Sequence, residues 1–222
     1  MPVIYPLSAL HVAKIPFYFS FLSGNKIFIY MNDFTLFFLE GIRHITDLKG
    51  YDHILFIMAL CLPYVVQDWK KILWLVTAFT IGHSVTLALS TYNKILVSSK
   101  WIEWLIPITI MITAIQNVII KKQEGKNWIR YITALIFGLI HGMGFSNYLR
   151  SMIGKDESIV TQLLAFNIGL EAGQIVIVLL VMFVGFIFAR LVKVPRREWL
   201  LFVSGGIFAA ALQMMIERSA AL

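Results

Sequence analysis

Long runs of apolar residues constrain this chain more than any other feature of its sequence. A helix needs about 20 consecutive, mostly apolar residues to cross the hydrocarbon core of a bilayer. Runs that reach or approach this length, each bounded by charged residues, Gly or Pro, lie at 34–48, 52–66, 72–91, 101–120, 129–149, 160–190 and 199–216. The sequence therefore predicts an all-α fold, a polytopic transmembrane helical bundle with six to seven spans.

The composition agrees with a membrane protein and excludes other classes. Hydrophobic residues make up 59% of the 222 residues and charged residues 14%, against about 45–50% and about 25% in soluble domains. A water-soluble globule and a disordered chain are both excluded. The net charge of +7 comes from Lys and Arg between the apolar runs, where these residues determine topology. We therefore expect a lipid bilayer as partner, and no nucleic acid.

The basic residues between the runs predict an orientation. Ten Lys and Arg lie in one set of alternate breaks and six in the other, and the richer set is expected in the cytoplasm. If all seven runs cross, the Lys49-Gly50 turn and the C-terminal end lie outside. The first two runs are short and polar, so a bent or partly re-entrant pair is the alternative.

The domain organisation is simple. Residues 31–222 are predicted to form a single transmembrane helical domain. Residues 1–30 form a poorly defined lead, whose apolar run is too short to span, and Met31 is an alternative translation start. Cys61 is the one cysteine, so a metal site must use histidine and carboxylate ligands.

Ionisable residues inside the predicted spans are the candidate functional residues, because burying them in hydrocarbon is costly unless they are paired or face water. Four of the five histidines fall in such spans. The predicted metal ligands are His44, Asp52, His53, His83, His141 and Glu171. Ser84, Asn167 and Gln174 are predicted to support these ligands. His83, His141 and Glu171 lie near the middle of their runs, so their depths are compatible with one shared site.

Helix periodicity and small residues favour close packing around these positions. Asn167, Glu171 and Gln174 recur at i, i+4 and i+7 and therefore share one helix face. Glycines accompany both this face and His141, at positions 138, 142, 144, 169 and 173. Small residues let membrane helices approach closely. The sequence thus predicts that His141 and Glu171 come near each other and near His83.

At these residues the sequence resembles the HupE/UreJ family of hydrogenase and urease accessory membrane proteins, over essentially 31–222. The resemblance rests on four ordered blocks. They are Gly41-Ile-Arg-His44 with Gly50-Tyr-Asp52-His53, Thr77-Ala-Phe-Thr80-Ile-Gly-His83-Ser84, Phe137-Gly-Leu-Ile-His141-Gly142, and Phe166-Asn167-Ile-Gly169-Leu-Glu171-Ala-Gly173-Gln174. Ile45 follows His44 where better-studied members carry proline, which marks a divergent branch.

The resemblance implies uptake of nickel, and sometimes cobalt, for metalloenzyme maturation, in the bacterial inner membrane. As a permease, the protein would capture a Ni, Co or Zn ion with Asp52 and His53. His44 and His83 would then carry the ion inward to His141 and Glu171. A homo-oligomer or a metalloenzyme maturation partner is a further expectation.

An intramembrane zinc hydrolase or transferase acting on a lipid or acylated substrate is the alternative. Glu171 or Asp52 would then serve as general base, and Ser84 would polarise a carbonyl. The sequence lacks both H-E-x-x-H and G-x-S-x-G, the helical zinc motif and the serine-nucleophile motif. A purely structural or partner-binding protein also stays open. The residues favour a metal permease or metal-binding accessory protein over an enzyme.

Overall fold

Seven α-helices build the bundle in the part of the chain that the computed structural model describes, residues 17–19, 27–29, 32–92, 94, 98–119, 127–152 and 159–220. They are α1 (Asp33–Thr46), α2 (Asp52–Cys61), α3 (Trp69–Thr91), α4 (Ser99–Ile119), α5 (Asn127–Met152), α6 (Ile159–Ile187) and α7 (Arg196–Ser219). Each predicted apolar run overlaps one of these helices, which confirms the predicted helical bundle.

A short hairpin precedes the bundle. Strand β1 (Phe17–Phe19) pairs antiparallel with β2 (Ile27–Ile29), with Phe17 opposite Ile29. The rest of the predicted lead at 1–30 and the alternative start at Met31 lie outside the described residues.

The helices differ in whether they are long enough to cross a bilayer. Among the described helices, α3 to α7 are five that are long and apolar enough to do so. Helix α6 also continues through a π-helical turn at Phe188–Val192. By contrast, α1 has 14 residues and α2 has 10, about 21 Å and about 15 Å at the helical rise. Neither spans the ~30 Å hydrocarbon core alone.

Helix α1 runs parallel to α6. A Cβ atom on Gly169 would overlap the carbonyl oxygen of Phe38, and one on Gly173 would lie 3.3 Å from the Cα atom of Ile42. Gly173 lies one turn after Gly169 on α6, and its partner Ile42 lies one turn after Phe38 on α1. The two helices therefore run in the same direction. Backbone contact is possible there because glycine has no side chain.

Helix α2 runs opposite to α7. Asp52, at its start, pairs with Arg218 near the end of α7, whereas the Pro63 carbonyl just beyond α2 accepts a hydrogen bond from Arg196 at the start of α7. Helix α6 also runs opposite to α7, since a tight turn joins them and Phe188 stacks on Trp199 with 4.3 Å between ring centroids. Therefore α1 and α2 run in the same direction, and together they form one interrupted crossing.

The bundle consequently has six crossings, with the first one broken between Thr46 and Asp52. This arrangement corresponds to the lower end of the predicted range and to the bent alternative for the first two runs. Helical breaks inside membrane proteins occur where the freed backbone is covered by protein or lines a cavity. The break is therefore a candidate location for a functional site.

Helices α3 and α5 form a second close parallel pair. A Cβ on Gly82 would lie 2.9 Å from the backbone nitrogen of Leu139, and one on Gly138 would lie 3.0 Å from that of His83. A Cβ on Gly142 would overlap the His83 carbonyl oxygen. This packing draws His83 and His141 toward the same part of the core.

A polar network joins the opposite end of the bundle. The side chain of Arg130 on α5 is buried and donates to Asn117 Oδ1 on α4 over 2.9 Å. Asn117 Nδ2 donates in turn to the Ala59 carbonyl oxygen on α2 over 2.7 Å. Arg130 is one of the ten basic residues that predict the orientation, and here it also ties three helices together.

Candidate metal centre

Four histidines from four helices converge at the break in the first crossing. His44 ends α1, His53 begins α2, and His83 and His141 come from α3 and α5. The ring centroids lie 4.6 Å apart for His44 and His53, 5.9 Å for His44 and His83, and 5.1 Å for His53 and His141. Residues separated by almost 100 positions thus share one locus, which we call the histidine cluster.

Three of these rings present nitrogen atoms at metal-binding separation. One ring nitrogen each from His44, His53 and His83 lies within 4.8 Å of the other two. A tetrahedral ion with bonds of about 2.0–2.1 Å separates its ligand atoms by about 3.4 Å. Side-chain movements on the order of an ångström would therefore let the three imidazoles share one ion.

The ring nitrogens are buried and lack protein partners. Nε2 of His44, His53 and His141 and both ring nitrogens of His83 have no hydrogen-bond partner among the described residues. A buried polar atom left unpaired costs about 1–3 kcal/mol, and such a group calls for an explanation such as an ion or water. Five unpaired nitrogens in one cluster indicate a site built for a ligand.

Two of the histidines are oriented by acceptors on their other nitrogen. His141 Nδ1 lies 2.8 Å from the Phe137 carbonyl oxygen. A carbonyl only accepts, so Nδ1 carries the proton and Nε2 keeps its lone pair. His53 Nδ1 lies 2.9 Å from Asp52 Oδ1. A carboxylate or carbonyl in this position fixes the tautomer and ring orientation of a metal-binding imidazole.

Asp52 is held by an arginine that sequence reasoning did not select. Arg218 Nη2 lies 3.0 Å from Asp52 Oδ2, and Arg218 Nη1 donates to the Glu103 carbonyl oxygen over 2.7 Å. In the sequence, Arg218 is one of the six basic residues in the poorer set of breaks. It is 166 positions from Asp52, so the only available signal was that a carboxylate in a span needs a cationic or hydrogen-bonding partner.

Aromatic rings enclose the histidine cluster. Phe145 contacts His44 with 3.9 Å between ring centroids, and Phe56, Phe79 and Phe166 contact His141 or His83 at 5.3–6.3 Å. Phe56, Phe79 and Phe166 are fully buried. These three rings therefore form an apolar surround for His83 and His141.

The predicted residues on α6 divide between the cluster and a polar line beside it. Asn167 lies beside His83, but its described hydrogen bond runs from Nδ2 to the Leu163 carbonyl oxygen over 2.8 Å, and the His83 ring nitrogens stay unpaired. Further along α6, Glu171 Oε1 accepts a hydrogen bond from Thr77 and Gln174 Oε1 accepts one from Thr80, each over 2.7 Å. Ser84 donates to the Thr80 carbonyl oxygen. The described hydrogen bonds of Glu171, Gln174 and Ser84 are thus made with α3 and not with the histidine rings.

An open cavity leads from the surface to the cluster. His44, His53 and His141 form its inner wall, while the carboxylate-bearing residues Asp47, Asp52 and Glu103 and the cation Arg218 are among its other lining residues. Three acidic residues against one basic residue favour a cation in this space. The geometry fits cation access from the end of the bundle where α4 begins and α7 ends.

Comparison with known proteins shows a family match. The family model described as HupE / UreJ protein matches residues 25–218 of the chain. Neither the curated proteins nor the solved structures contain a match to it.

Proposed function

Because the chain belongs to the HupE/UreJ family, we propose that it binds a divalent transition-metal ion, nickel or cobalt, at the histidine cluster and moves it through the membrane. The observation that carries this proposal is the approach of the His44, His53 and His83 nitrogens to within 4.8 Å. A permease and an accessory protein that hands the ion to a metalloenzyme maturation partner share this binding step.

The chemistry of the donor set supports such a cargo. Neutral imidazoles suit Ni²⁺, Co²⁺ and Zn²⁺, whereas Mg²⁺ and Ca²⁺ prefer oxygen ligands and Cu⁺ prefers sulfur. In our assignment His44, His53 and His83 bind the ion, and His141 contributes its free Nε2 beside His53. Asp52 orients His53 and supplies negative charge.

The polar line on α6 supplies a route away from the cluster. Asn167, Glu171 and Gln174 share one face, and Glu171 and Gln174 accept hydrogen bonds from α3 threonines. Seven residues of helix cover about 10 Å. In our proposal an ion leaves His83 along this line, with Glu171 as the charged stepping point. Transport requires that the ion is bound weakly enough to be released.

A zinc hydrolase using the same cluster is separable by experiment. It would need a base or a polarising group next to the metal-bound water. Asp52 is the one carboxylate that contacts a cluster histidine among the described residues, and it is paired with Arg218. Glu171 and Ser84 bond to α3. These contacts favour a binding and transfer role.

We further propose that the protein resides in a bacterial inner membrane, with the basic breaks around Lys70, Lys121 and Arg196 in the cytoplasm. The five long apolar helices support the membrane assignment, and the charge asymmetry supports the orientation. Homo-oligomers and metalloenzyme maturation proteins are the partners that this role implies.

The test combines metal binding and flux. Purified full-length protein is dialysed against Ni²⁺, Co²⁺ or Zn²⁺ and its metal content is measured, and uptake is followed in liposomes. His53→Ala and His83→Ala are expected to lose binding at least tenfold, since each removes a ligand. His11→Ala is the matched control, because His11 is the one histidine outside the predicted spans.

The outcomes separate the candidates. Reloadable nickel or cobalt together with saturable uptake supports the permease, and binding without uptake supports the accessory role. About one zinc per chain that survives chelation would instead indicate the metalloenzyme. Equal metal binding by the wild type, His53→Ala and His83→Ala would refute the proposed site.

A further inference from the structure

The open access cavity is lined by an ion pair whose cation competes with any arriving metal. Arg218 Nη2 lies 3.0 Å from Asp52 Oδ2, while Nη1 is anchored 2.7 Å from the Glu103 carbonyl oxygen. The Asp52 side chain is only 9% exposed and the Arg218 side chain 26% exposed. The guanidinium is therefore the more exposed partner of the pair, and both residues line the access cavity.

Asp52 joins this arginine to the histidine cluster. Its Oδ1 lies 2.9 Å from His53 Nδ1, while its other oxygen is taken by Arg218. A carboxylate buried to this extent is costly without a cationic partner. In the empty protein Arg218 supplies that partner. A divalent ion held by His53 supplies a second and stronger positive charge next to the same carboxylate.

We infer that Arg218 is a gate, a resident cation that neutralises Asp52 in the empty site and is displaced from Asp52 when a divalent ion binds. This inference rests on the proposed function. Repulsion between the guanidinium and the bound ion lowers the affinity of the site, which favours release. Return of Arg218 to Asp52 then restores the neutralised, empty site. The role is one of regulation, because the guanidinium is not a metal ligand.

The same helix pair provides a matched control at its other end. Arg197, near the start of α7, donates through Nη2 to the Val118 carbonyl oxygen of α4 over 3.2 Å. Arg218 makes the equivalent α7-to-α4 bond to Glu103. Both arginines hold the two helices together, but only Arg218 also pairs with a cavity carboxylate. A purely structural role predicts the same behaviour for both.

The experiment measures Ni²⁺ and Co²⁺ affinity of the full-length protein in detergent for the wild type, Arg218→Gln, Arg218→Lys and Arg197→Gln. Association with Co²⁺ is followed by quenching of tryptophan fluorescence. Trp104 reports on this end, because its Nε1 donates to Ser219 Oγ next to Arg218. The glutamine side chain keeps a hydrogen-bond donor for Asp52 or for the Glu103 carbonyl but carries no charge.

A gate predicts an order of affinities. Arg218→Gln is expected to bind both ions about tenfold more tightly than the wild type. Arg218→Lys is expected to lie between the two, because its ammonium keeps the charge but cannot bridge both acceptors in one plane. Arg197→Gln is expected to match the wild type. The lysine variant decides the question if the glutamine variant does not fold.

The sign of the change distinguishes the gate from a positioning role. Weaker binding by Arg218→Gln would show that the arginine only holds Asp52 in place for His53, and unchanged binding would show that it does neither. Either result overturns the gate while leaving the proposed function intact. By contrast, metal binding that survives His53→Ala and His83→Ala would overturn the proposed function itself.

Discussion

At the scale of single residues, Asp52 has two partners with opposite consequences. It contacts His53 Nδ1 through one oxygen and Arg218 through the other. The first contact prepares an imidazole to bind a cation, because it fixes the ring and its tautomer. The second neutralises the negative charge that would attract the cation. The balance between these contacts determines how tightly the cluster binds.

Asp52→Asn is therefore expected to weaken Ni²⁺ binding about 10- to 100-fold, the usual effect of losing an orienting partner of a metal-binding histidine. Equilibrium dialysis with metal analysis measures it. Asp47→Asn is the matched control, because Asp47 lines the same cavity but bonds to the Lys49 backbone nitrogen. An equal loss in both variants would mean that charge in the cavity matters and orientation of His53 does not.

The residues that could be foreseen from the sequence are those with a local signal. His44, His53, His83 and His141 stand out because ionisable groups are costly inside apolar runs, and all four reach the cluster. Arg218 gave no such signal, since it lies at the end of a run where arginine is ordinary. The partner of Glu171 was also unpredictable, because Thr77 is one of several threonines on α3.

At the scale of elements, the parallel contact of α1 and α6 positions His44. A Cβ on Gly169 would overlap the Phe38 carbonyl oxygen, and backbone atoms cannot rotate away as a side chain can. Gly169→Ala is expected to separate the helices and destabilise the protein by about 1–3 kcal/mol, as overpacking does. A fall of several degrees in the apparent melting temperature in detergent is the measurable result.

Gly205→Ala provides the comparison within the same protein. Gly205 lies on an exposed part of α7, and a Cβ there would meet nothing within 4 Å. Alanine is also the better helix former by about 1 kcal/mol. The melting temperature of this variant is expected to stay equal or rise slightly. A similar loss in both glycine variants would contradict the assignment of Gly169 to a close helix contact.

The polar line on α6 yields a prediction that separates binding from movement. Glu171→Gln keeps an oxygen that can accept from Thr77 but removes the charge. Equilibrium Ni²⁺ affinity at the histidine cluster is expected to change less than about threefold, because Glu171 has no described hydrogen bond to a cluster histidine. The rate of liposome uptake is expected to fall at least tenfold.

Glu198→Gln controls for a general loss of negative charge, since Glu198 is exposed in the first turn of α7. Uptake by this variant should equal that of the wild type. If Glu171→Gln also transports at the wild-type rate, the polar line is a packing feature and not a route.

For the break in the first crossing, the sequence pattern predicts a bend but not the direction of α1. The first two runs are short and polar, which raised the alternative of a bent pair. The direction of α1, however, depends on which helix it packs against. Gly169 and Gly173 select parallel contact with α1 from a distance of more than 120 residues. The glycines of α6 predict a close helix contact, but the identity and direction of the partner helix leave no trace in the local pattern of either segment.

At the scale of the whole molecule, the interrupted first crossing determines whether the start of α1 and the end of α7 lie on the same side of the membrane. From α2 onward the crossings alternate regardless of what α1 does, so the ten-to-six distribution of basic residues predicts the same orientation for 52–222. Six and seven crossings differ only in the side of the membrane on which α1 begins. Seven full crossings would put Asp33 and Ala220 on opposite sides, whereas six crossings put them on the same side.

Cysteine labelling in intact cells tests this topology. Cys61, the single cysteine, is buried and is replaced by alanine. One cysteine is then introduced at a time in place of Asp33, Lys70, Glu198 or Ala220, all of which are exposed. With a membrane-impermeant maleimide, Asp33→Cys and Ala220→Cys are expected to react together in intact cells. Lys70→Cys and Glu198→Cys are expected to react only after lysis, because the basic breaks face the cytoplasm.

The pairing of positions decides the topology independently of absolute orientation. If the protein were inserted the other way round, the two pairs would exchange roles but each pair would stay together. The opposite result would be that Asp33→Cys is labelled under the same conditions as Lys70→Cys and Glu198→Cys. This result would require α1 and α2 to cross the membrane separately. The break would then be a loop outside the membrane. The histidine cluster would lose the buried setting in which its unpaired nitrogens call for a metal ion.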